Sequence, residues 1–421
     1  MITADFQIVH AGQLVCISRN AGESQPRRGT GLSELSIVND GALAARDGNI
    51  VWVGETGNIA RNVTPAPGCH VIDAQNRVVT PGLIDSHAHP VFAAPRHAEF
   101  EMRMEGKTYM EIAAAGGGIR SSVASVRGAT LEHLIAVGTQ TADRMIGLGT
   151  TTAEAKSGYG LSLAAEIKLL EAIATVNDQH PIDWIPTVLA AHEFPPEFDG
   201  RHEEYIACIT DEILPAVAQR KLARFSDVFF ETGVYDRSQT ERVQTRAREL
   251  GFGLMFHADQ LSDTGGAKLA AQMGAVSAAH LEYISPDGIA ALAESDTIAV
   301  LLPGAAYSLN MPVHPPARRM INAGVAVAVA TDCNPGSNMS ESMPMAMNQA
   351  CVMYKLTPAE ALVAATWNGA WAIRRGDRIG ALTPGRQCDL VVWDVSDYRE
   401  IAYHYGVNLV QTVIKNGAPI N

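Results

Sequence analysis

The sequence predicts an α/β protein: a (β/α)8 barrel of the TIM type with a small β-sandwich domain formed by both chain ends. Eight short apolar runs alternate with helix-like stretches through the middle of the chain. That alternation is typical of parallel βαβ units, and eight is the number of strands that closes a barrel. Both chain ends, residues 1–75 and 371–421, are instead rich in short alternating apolar runs broken by Gly, Asn and Asp, as in small β-domains.

Composition and charge limit the class of protein. The chain has 421 residues, of which 47% are hydrophobic and 18% charged, so a large core is possible and wholesale disorder is excluded. A net charge of −13 without any Lys/Arg run argues against a nucleic-acid or anionic-membrane surface. We find neither a signal peptide nor a run of 18 apolar residues. Six scattered cysteines without CxxC spacing fit reduced thiols in the cytoplasm.

The predicted barrel occupies residues 76–370, and the two β-rich ends, 1–75 and 371–421, form the second domain. The eight runs are 83–89, 151–157, 184–192, 227–231, 252–258, 275–280, 297–302 and 325–332. The rival fold is a doubly wound open sheet, which often carries GxGxxG after its first strand. No such motif follows the first run here, so the barrel is the better prediction.

Polar residues end several of these runs. His87 and His89 lie two apart in the first run, so on a strand both would point to the same face. His257 lies near the end of the fifth run, His280 ends the sixth, and Asp332 ends the eighth. The carboxyl ends of barrel strands meet at one mouth, where the active sites of this fold lie. Each residue alone could be an ordinary strand-end side chain or a helix cap, but the joint pattern favours a site.

The first two histidines with His257 and Asp332 form a set of three nitrogens and one oxygen. Such a set suits zinc or iron(II) and leaves a position open for water. A bound metal ion lowers the pKa of its water from about 16 to about 7. Asp332 can hold the proton of that water, and His280 can hydrogen-bond the water or a developing oxyanion. The pattern therefore predicts metal-assisted hydrolysis of an amide-like bond.

Two motifs resemble the metal-dependent amidohydrolase superfamily: PGLIDSHAHP at 81–90 and TPGRQCDLVVWD at 383–394, where Ala is usual at the position of Cys388. Within that superfamily the chain is most similar to the imidazolonepropionases of histidine degradation. The stretches that carry this likeness are KSGYGL at 156–161, AAHEFP at 190–195, HADQLSDTGGA at 257–267, HLEY at 280–283 and ATDCNPGS at 330–337. The likeness covers nearly the whole chain.

The resemblance implies a role for each matching position. It implies one zinc or iron ion per chain, bound by His87, His89, His257 and Asp332. It implies that the substrate is held by Arg96, Tyr109, Tyr159, His192, Gln260, Asn334, Gly336 and Ser337. The guanidinium of Arg96 suits the propionate carboxylate in a bidentate pair. A purely structural interpretation of Asn334 to Ser337 is a simple turn, since Pro-Gly is a common turn sequence.

Two positions differ from patterns seen in relatives. Some relatives carry Glu at the position of Gln260, which contacts the ring; Gln can hydrogen-bond the ring but cannot act as a general base. Proton transfer is therefore assigned to Asp332 and His280. Binuclear members carry a carboxylated Lys at the end of strand four, where this chain has Glu231. A single metal is therefore predicted, with Glu154 and Lys156 as an ion pair at the barrel mouth.

The resemblance implies hydrolysis of 4-imidazolone-5-propanoate to N-formimidoyl-L-glutamate by a cytoplasmic enzyme, with a homodimer as the expected assembly. One alternative is another cyclic amidohydrolase or a ring aminohydrolase of the same superfamily. Arg96 argues against a neutral ring, because it would remain an unmatched cation. The other alternative, from a different class, is a catalytically silent barrel that binds a small molecule. The filled set of ligand positions argues against it.

Overall fold

The computed structural model describes residues 1–107, 111–112 and 116–420. In chain order its strands are β1 (Ile2–Val15), β2 (Ile37–Arg46), β3 (Asn49–Glu55), β4 (Val63–Asp73), β5 (Val78–Pro81), β6 (Leu83–Asp85), β7 (Thr150–Lys156), β8 (Asp183–Ala191), β9 (Phe225–Phe230), β10 (Gly253–Ala258), β11 (Ser277–His280), β12 (Ile298–Leu301), β13 (Val327–Val329), β14 (Leu390–Trp393), β15 (Val410–Lys415) and β16 (Ala418–Ile420). The α-helices are Ile59–Asn62, His97–Met104, Ile119–Gly128, Leu131–Gly147, Leu163–Gln179, His202–Ala207, Leu214–Arg220, Arg237–Glu249, Gly266–Gln272, Pro286–Ala293, Pro303–Ser308, Ala317–Asn322, Met343–Tyr354, Pro358–Ala364, Trp367–Ala372 and Arg399–Tyr403.

The eight strands β6 to β13 form one parallel sheet in chain order, which confirms the predicted barrel. Each predicted run overlaps one of these strands, with shifts of one or two residues at the start of β7, β8 and β9. All seven residues of β7 are buried, as expected for a strand covered on both faces. The helix Leu163–Gln179 buries a stripe at helical spacing that includes Leu169, Ile173 and Val176. That stripe packs the helix onto the barrel core.

The barrel closes between its first and last strands, through residues that lie beyond both of them. Ala88 and Cys333 form a parallel bridge. The amide of His89 donates to the carbonyl of Cys333 at 2.8 Å, and the amide of Asp332 donates to the carbonyl of His87 at 3.0 Å. The predicted run 83–89 is therefore wrong in one respect, because β6 ends at Asp85. The His-Ala-His segment is held by this closure and not by a regular strand.

Both chain ends build one mixed sheet, with the strand order β16-β15-β14-β5-β1-β2-β3 and β4 paired to β1. This confirms that both chain ends form one additional β-domain. The strand β5 lies within the residues predicted for the barrel, yet it pairs with β1 and β14 of the terminal sheet. Gly82 joins that sheet to the barrel, and its amide donates to the carbonyl of Asp389 at 3.0 Å. Of the helices described, none is long and apolar enough to cross a lipid bilayer.

Candidate metal centre and active site

Three buried imidazoles converge at the mouth of the barrel. His87, His89 and His257 each offer one nitrogen, and these atoms all lie within 4.8 Å of one another. The rings of His87 and His257 are 4.5 Å apart between centroids. His87 and His89 lie just after β6, the first of the eight barrel strands. His257 lies on β10, the fifth strand. A closed barrel brings them together, as the sequence predicted.

Asp332 completes this cluster. Its Oδ1 lies 3.6 Å from Nε2 of His89 and 3.7 Å from Nε2 of His87. Its Oδ2 accepts a hydrogen bond from the hydroxyl of Ser337 at 3.0 Å. The structure therefore brings all four predicted ligands together, with one carboxylate oxygen facing the imidazoles.

The chemistry of this donor set fits a divalent cation. Burial, together with the positive charge of Lys156 and the other imidazoles, lowers the pKa of His87 well below its usual value. The pKa of His89 is lowered in the same way, so the imidazoles of His87 and His89 are neutral, which is the form that binds metal. Nε2 of His87 is buried without a hydrogen-bond partner among the described residues. Burial also raises the pKa of Asp332 to about 7, because the loss of solvent outweighs the hydrogen bond from Ser337 and the charge of Lys156, which both lower it. A metal ion would satisfy both groups.

Strained backbone marks the same end of the barrel. Asp332, His280 and Leu281 have left-handed φ angles of 55°, 76° and 72°, which side-chain-bearing residues adopt rarely. Asp259 has φ 51° and lies directly after β10. Its carboxylate accepts from the amides of Gly266 and Ala267, so it holds the loop that follows the strand. Strain of this kind concentrates at functional sites, because the surrounding structure maintains it for the geometry it gives.

His280 ends β11 beside the cluster, where its ring centroid lies 5.3 Å from that of His257 and 5.7 Å from that of His87. Its Nδ1 is 3.9 Å from Oε2 of Glu282, a buried carboxyl. Burial raises the pKa of Glu282 well above its usual value. His280 is thus buried next to the four candidate ligands, which is where a group that contacts the reacting atoms must be.

A buried ion cluster lies inside the barrel next to the histidines. Nζ of Lys156 donates to Oε1 of Glu154 at 2.7 Å and to Oδ2 of Asp227 at 2.6 Å. The structure therefore contains the predicted ion pair of Glu154 and Lys156. It differs in two ways: both side chains are completely buried, and Asp227 is a third member. Oδ2 of Asp227 also lies 3.0 Å from Nδ1 of His257.

Arg96 is near the loop after β13. Its Nε and Nη2 donate to the two carboxylate oxygens of Glu99, at 2.9 and 2.6 Å. Arg96 is therefore already paired, and the expectation that a neutral ring would leave it an unmatched cation is wrong. A guanidinium has five N–H donors, so the edge that carries Nη1 can still bind a ligand carboxylate. Arg103 adds a second cation at this corner, with its Nη1 donating to the carbonyl of Gly336 at 2.9 Å. Burial and the charge of Arg96 lower the pKa of Arg103.

The aromatic residues predicted to contact the substrate are also at the mouth. His192 stacks on His89 with centroids 5.4 Å apart, and its Nδ1 lies 3.0 Å from the carbonyl of Gly158. Tyr159 is buried, with its ring 5.8 Å from His89. Gln260 is half-buried, directly after the loop residue Asp259. Tyr109 lies outside the described residues.

The loop of Asn334, Gly336 and Ser337 is a tight turn. The side-chain oxygen of Asn334 accepts from the amides of Gly336 and Ser337 at 2.8 and 2.7 Å. Its Nδ2 donates to the carbonyl of Asp332 at 2.7 Å and to the hydroxyl of Ser337. The backbone of this loop is therefore a simple turn, which was one of its two interpretations from the sequence. The same turn also places the hydroxyl of Ser337 against the carboxylate of Asp332.

Three residues of this site did not emerge from the sequence patterns: Asp227, Glu99 and Arg103. Asp227 interrupts the apolar run of β9, and an acid in a buried strand needs a partner. Glu99 is three residues after Arg96, at a spacing that lets side chains pair across one helical turn. Only Asp227 carried a signal strong enough to be noticed from the sequence alone.

The model of the amidohydrolase family matches residues 78–420. Among solved structures, an adenosine deaminase of Xanthomonas campestris with bound zinc has a TM-score of 0.74 at 22% identity and covers 99% of this chain and 93% of its own. The guanine deaminase of E. coli has a TM-score of 0.70 at 17% identity, with 99% of both chains covered. At these identities the structures establish the shared fold alone.

The parallel barrel and the family match over most of the chain define the class of this protein: it is an amidohydrolase. Among curated relatives, the imidazolonepropionase of Symbiobacterium thermophilum is 45% identical over 99% of this chain and 97% of its own. That of Geobacillus kaustophilus is 44% identical over 92% of this chain and 91% of its own. The chain belongs to the imidazolonepropionase family of amidohydrolases.

Proposed function

We propose that this protein hydrolyses the ring of 4-imidazolone-5-propanoate to N-formimidoyl-L-glutamate. The observation that carries the proposal is the buried cluster of His87, His89, His257 and Asp332, with the cation of Arg96 at the same mouth. The reaction adds the oxygen of water to the ring carbonyl carbon and breaks the adjacent C–N bond, and the leaving nitrogen takes up a proton. Homologues named for this activity, at 41–45% identity, support this substrate.

A divalent metal, zinc or iron, would be held by the three imidazoles and Asp332, and when bound it supplies an acidified water and polarises the carbonyl. We assign one ion to each chain. Asp332 presents Oδ1 to the histidines and Oδ2 to Ser337. Because a carboxylate oxygen has two lone pairs, Oδ2 can also accept a proton from the attacking water. His280, buried beside the cluster, stabilises the oxygen on which negative charge develops.

The remaining residues orient the substrate. Arg96 binds the propionate carboxylate through its free edge, while Glu99 fixes the plane of the guanidinium. Tyr159, His192 and Gln260 line the ring side, as the residue types that can stack on or hydrogen-bond a planar amide. Asn334, Gly336 and Ser337 shape the loop over the ring, and Tyr109 is assigned to the carboxylate by resemblance alone.

The test distinguishes ring opening from deamination, since two of the structural neighbours are deaminases. Freshly made 4-imidazolone-5-propanoate is followed by the loss of its ultraviolet absorbance, with the product identified by mass spectrometry and ammonia measured in the same sample. We expect N-formimidoyl-L-glutamate without released ammonia. Release of ammonia from a purine or pyrimidine ring, with no turnover of the imidazolone, would support the aminohydrolase alternative. If the metal-loaded protein turned over neither substrate, the result would support a catalytically silent barrel that binds a small molecule.

Replacing Arg96 by Ala is expected to raise KM for the anionic substrate by about 30- to 1000-fold, equivalent to about 2–4 kcal/mol for a desolvated charge pair. Steady-state kinetics measures this effect. Arg96→Lys keeps the charge and loses the planar fork, so it recovers only part of the loss. The double variant Arg96→Ala with Glu99→Gln removes the carboxylate left unpaired by the first change. A KM that stays near the wild-type value in both variants would contradict the assignment.

Gly336→Ala tests the same pocket from the loop. A Cβ at this position would lie 2.4 Å from Nη1 of Arg96 and 3.0 Å from its Cζ, so the guanidinium must move. We expect KM to rise with little change in thermal stability, because the backbone of Gly336 is not left-handed and accepts Ala. Kinetics and a melting curve on one preparation check both parts. An unchanged KM would show that Arg96 tolerates displacement.

We also propose a cytoplasmic location and a homodimeric assembly. All six cysteines are unpaired in the structure, which supports a reducing compartment. Four have a thiol pKa raised well beyond the ordinary value by burial, among them Cys16 and Cys333, so these are not reactive. The dimer rests on the barrel class, and light scattering of the purified protein measures it.

A further inference from the structure

The buried ion cluster of Lys156, Glu154 and Asp227 has no role in the reaction described above. It joins two barrel strands that β8 separates: Glu154 and Lys156 lie two apart on β7, and Asp227 lies on β9, which pairs with the strand β10 that carries His257. All three charged side chains of the cluster are completely buried. Burial of three charges is costly in free energy unless each is paired, so their presence inside the barrel calls for an explanation.

The contact between Asp227 and His257 links the cluster to the candidate metal centre. Oδ2 of Asp227 is 3.0 Å from Nδ1 of His257, and the same oxygen accepts a hydrogen bond from Nζ of Lys156 at 2.6 Å. Its other oxygen, Oδ1, accepts from the amide of Val228 at 2.7 Å. Asp227 is thus fixed on both oxygens, and its Oδ2 is in ion-pair contact with Nδ1 of His257, a buried nitrogen that forms no hydrogen bond among the described residues.

We propose that Asp227 is a positioning residue for the metal centre. It accepts the Nδ1 proton of His257, which fixes the tautomer and the ring plane and leaves Nε2 to face the metal. Lys156 holds Asp227 in place, and Glu154 shares the charge of Lys156. Carboxylate partners behind metal-bound histidines act in this way in other proteins. The proposal rests on the metal site proposed above, and it assigns a role to residues for which that proposal had none.

Two matched controls exist in the same chain. Glu154→Gln removes a carboxylate from the same ammonium without touching His257, so it reproduces the loss of charge and packing inside the cluster. A second cluster of one lysine and two acids lies where the terminal sheet meets the start of β8: Nζ of Lys415 donates to Oδ2 of Asp389 at 2.6 Å and to Oδ2 of Asp183 at 2.7 Å. Asp389→Asn therefore removes a buried acid from a Lys-centred cluster away from the site.

The experiment measures the affinity for Zn2+ by competition with a chromophoric chelator, and it needs no turnover. We expect Asp227→Asn to weaken binding about 10- to 100-fold, the effect seen on loss of such partners elsewhere. Glu154→Gln is expected to weaken it distinctly less, and Asp389→Asn to leave it unchanged. The d–d spectrum of the Co2+-loaded protein should change in Asp227→Asn alone, because only that variant frees the ring of His257. Circular dichroism of the metal-free variants checks that each is folded.

The possible results distinguish the positioning role of Asp227 from the metal site on which that role depends. His257→Ala serves as the reference: if it binds Zn2+ as tightly as the wild type, the proposed metal site itself is wrong. If His257→Ala loses the metal while Asp227→Asn keeps wild-type affinity and spectrum, the positioning role is overturned and the metal site stands. Equal losses in Asp227→Asn and Glu154→Gln, with an unchanged Co2+ spectrum, would also overturn it, because the cluster would then act through its charge.

Discussion

Asp332→Asn is expected to lower kcat/KM by about a thousandfold or more. The substitution preserves shape but removes the anionic oxygen that lies 3.6 Å from His89 and the acceptor for the proton of water. General acid–base catalysis alone contributes about 10²- to 10⁴-fold, and the loss of a ligand charge adds to that. Ser337 can still hydrogen-bond the new side-chain amide, and Asn334 still donates to the backbone carbonyl at this position, so the loop should keep its form. Steady-state kinetics and metal analysis on one preparation measure both consequences.

The control for this variant is Asp389→Asn, which removes an equally buried acid from the terminal sheet. It should leave kcat/KM near the wild-type value. The metal-free Asp332→Asn protein should melt no lower than the metal-free wild type, because the change removes a buried charge without creating a cavity. If Asp332→Asn kept more than a tenth of the activity, neither role assigned to this carboxylate could hold.

His280→Asn is expected to lower kcat by about 10²- to 10³-fold with little change in KM, which is the usual effect of removing one donor to a developing oxyanion. Asn is the matched substitution because His280 has a left-handed φ of 76°, a conformation that Asn tolerates better than most residues. The side chain of Asn is too short to reach the place of the imidazole. The measurement is kcat and KM at saturating metal.

Metal content decides how this result is interpreted. In our assignment His280 contacts the reacting atoms and does not bind the metal. The variant should therefore retain as many metal ions per chain as the wild type. Loss of the metal together with the activity would make His280 a ligand, and a rise in KM at constant kcat would make it a substrate-binding group. Either result would contradict the assigned role.

The sequence was a good guide to the fold because parallel strands produce strong local patterns. The eight apolar runs each overlap one barrel strand, and the β-rich ends join in one sheet, as predicted. The boundary at residue 76 was less accurate: β5 and β6 are separated by Gly82 alone, so one continuous apolar stretch serves two sheets. Local pattern cannot show which partner strand each half of such a stretch pairs with.

The site was predicted unevenly, for a physical reason. Residues at the ends of strands converge in any closed barrel, so His87, His257 and Asp332 could be placed from spacing and topology. Asp227 could not, because its contacts with Lys156 and His257 depend on which strands are adjacent and how far each is staggered. The pairing of Arg96 with Glu99 likewise depends on the helix that begins at His97, which no sequence pattern predicted.

If this barrel opens a cyclic amide with a metal held by His87, His89, His257 and Asp332, turnover must depend on that metal. The most direct test is to measure turnover of 4-imidazolone-5-propanoate and metal content on the same sample, before chelation, after it, and after the metal is restored. We expect turnover at about one metal per chain, loss of activity on chelation, and recovery on addition of Zn2+ or Fe2+. Undiminished turnover by the metal-free protein would contradict it.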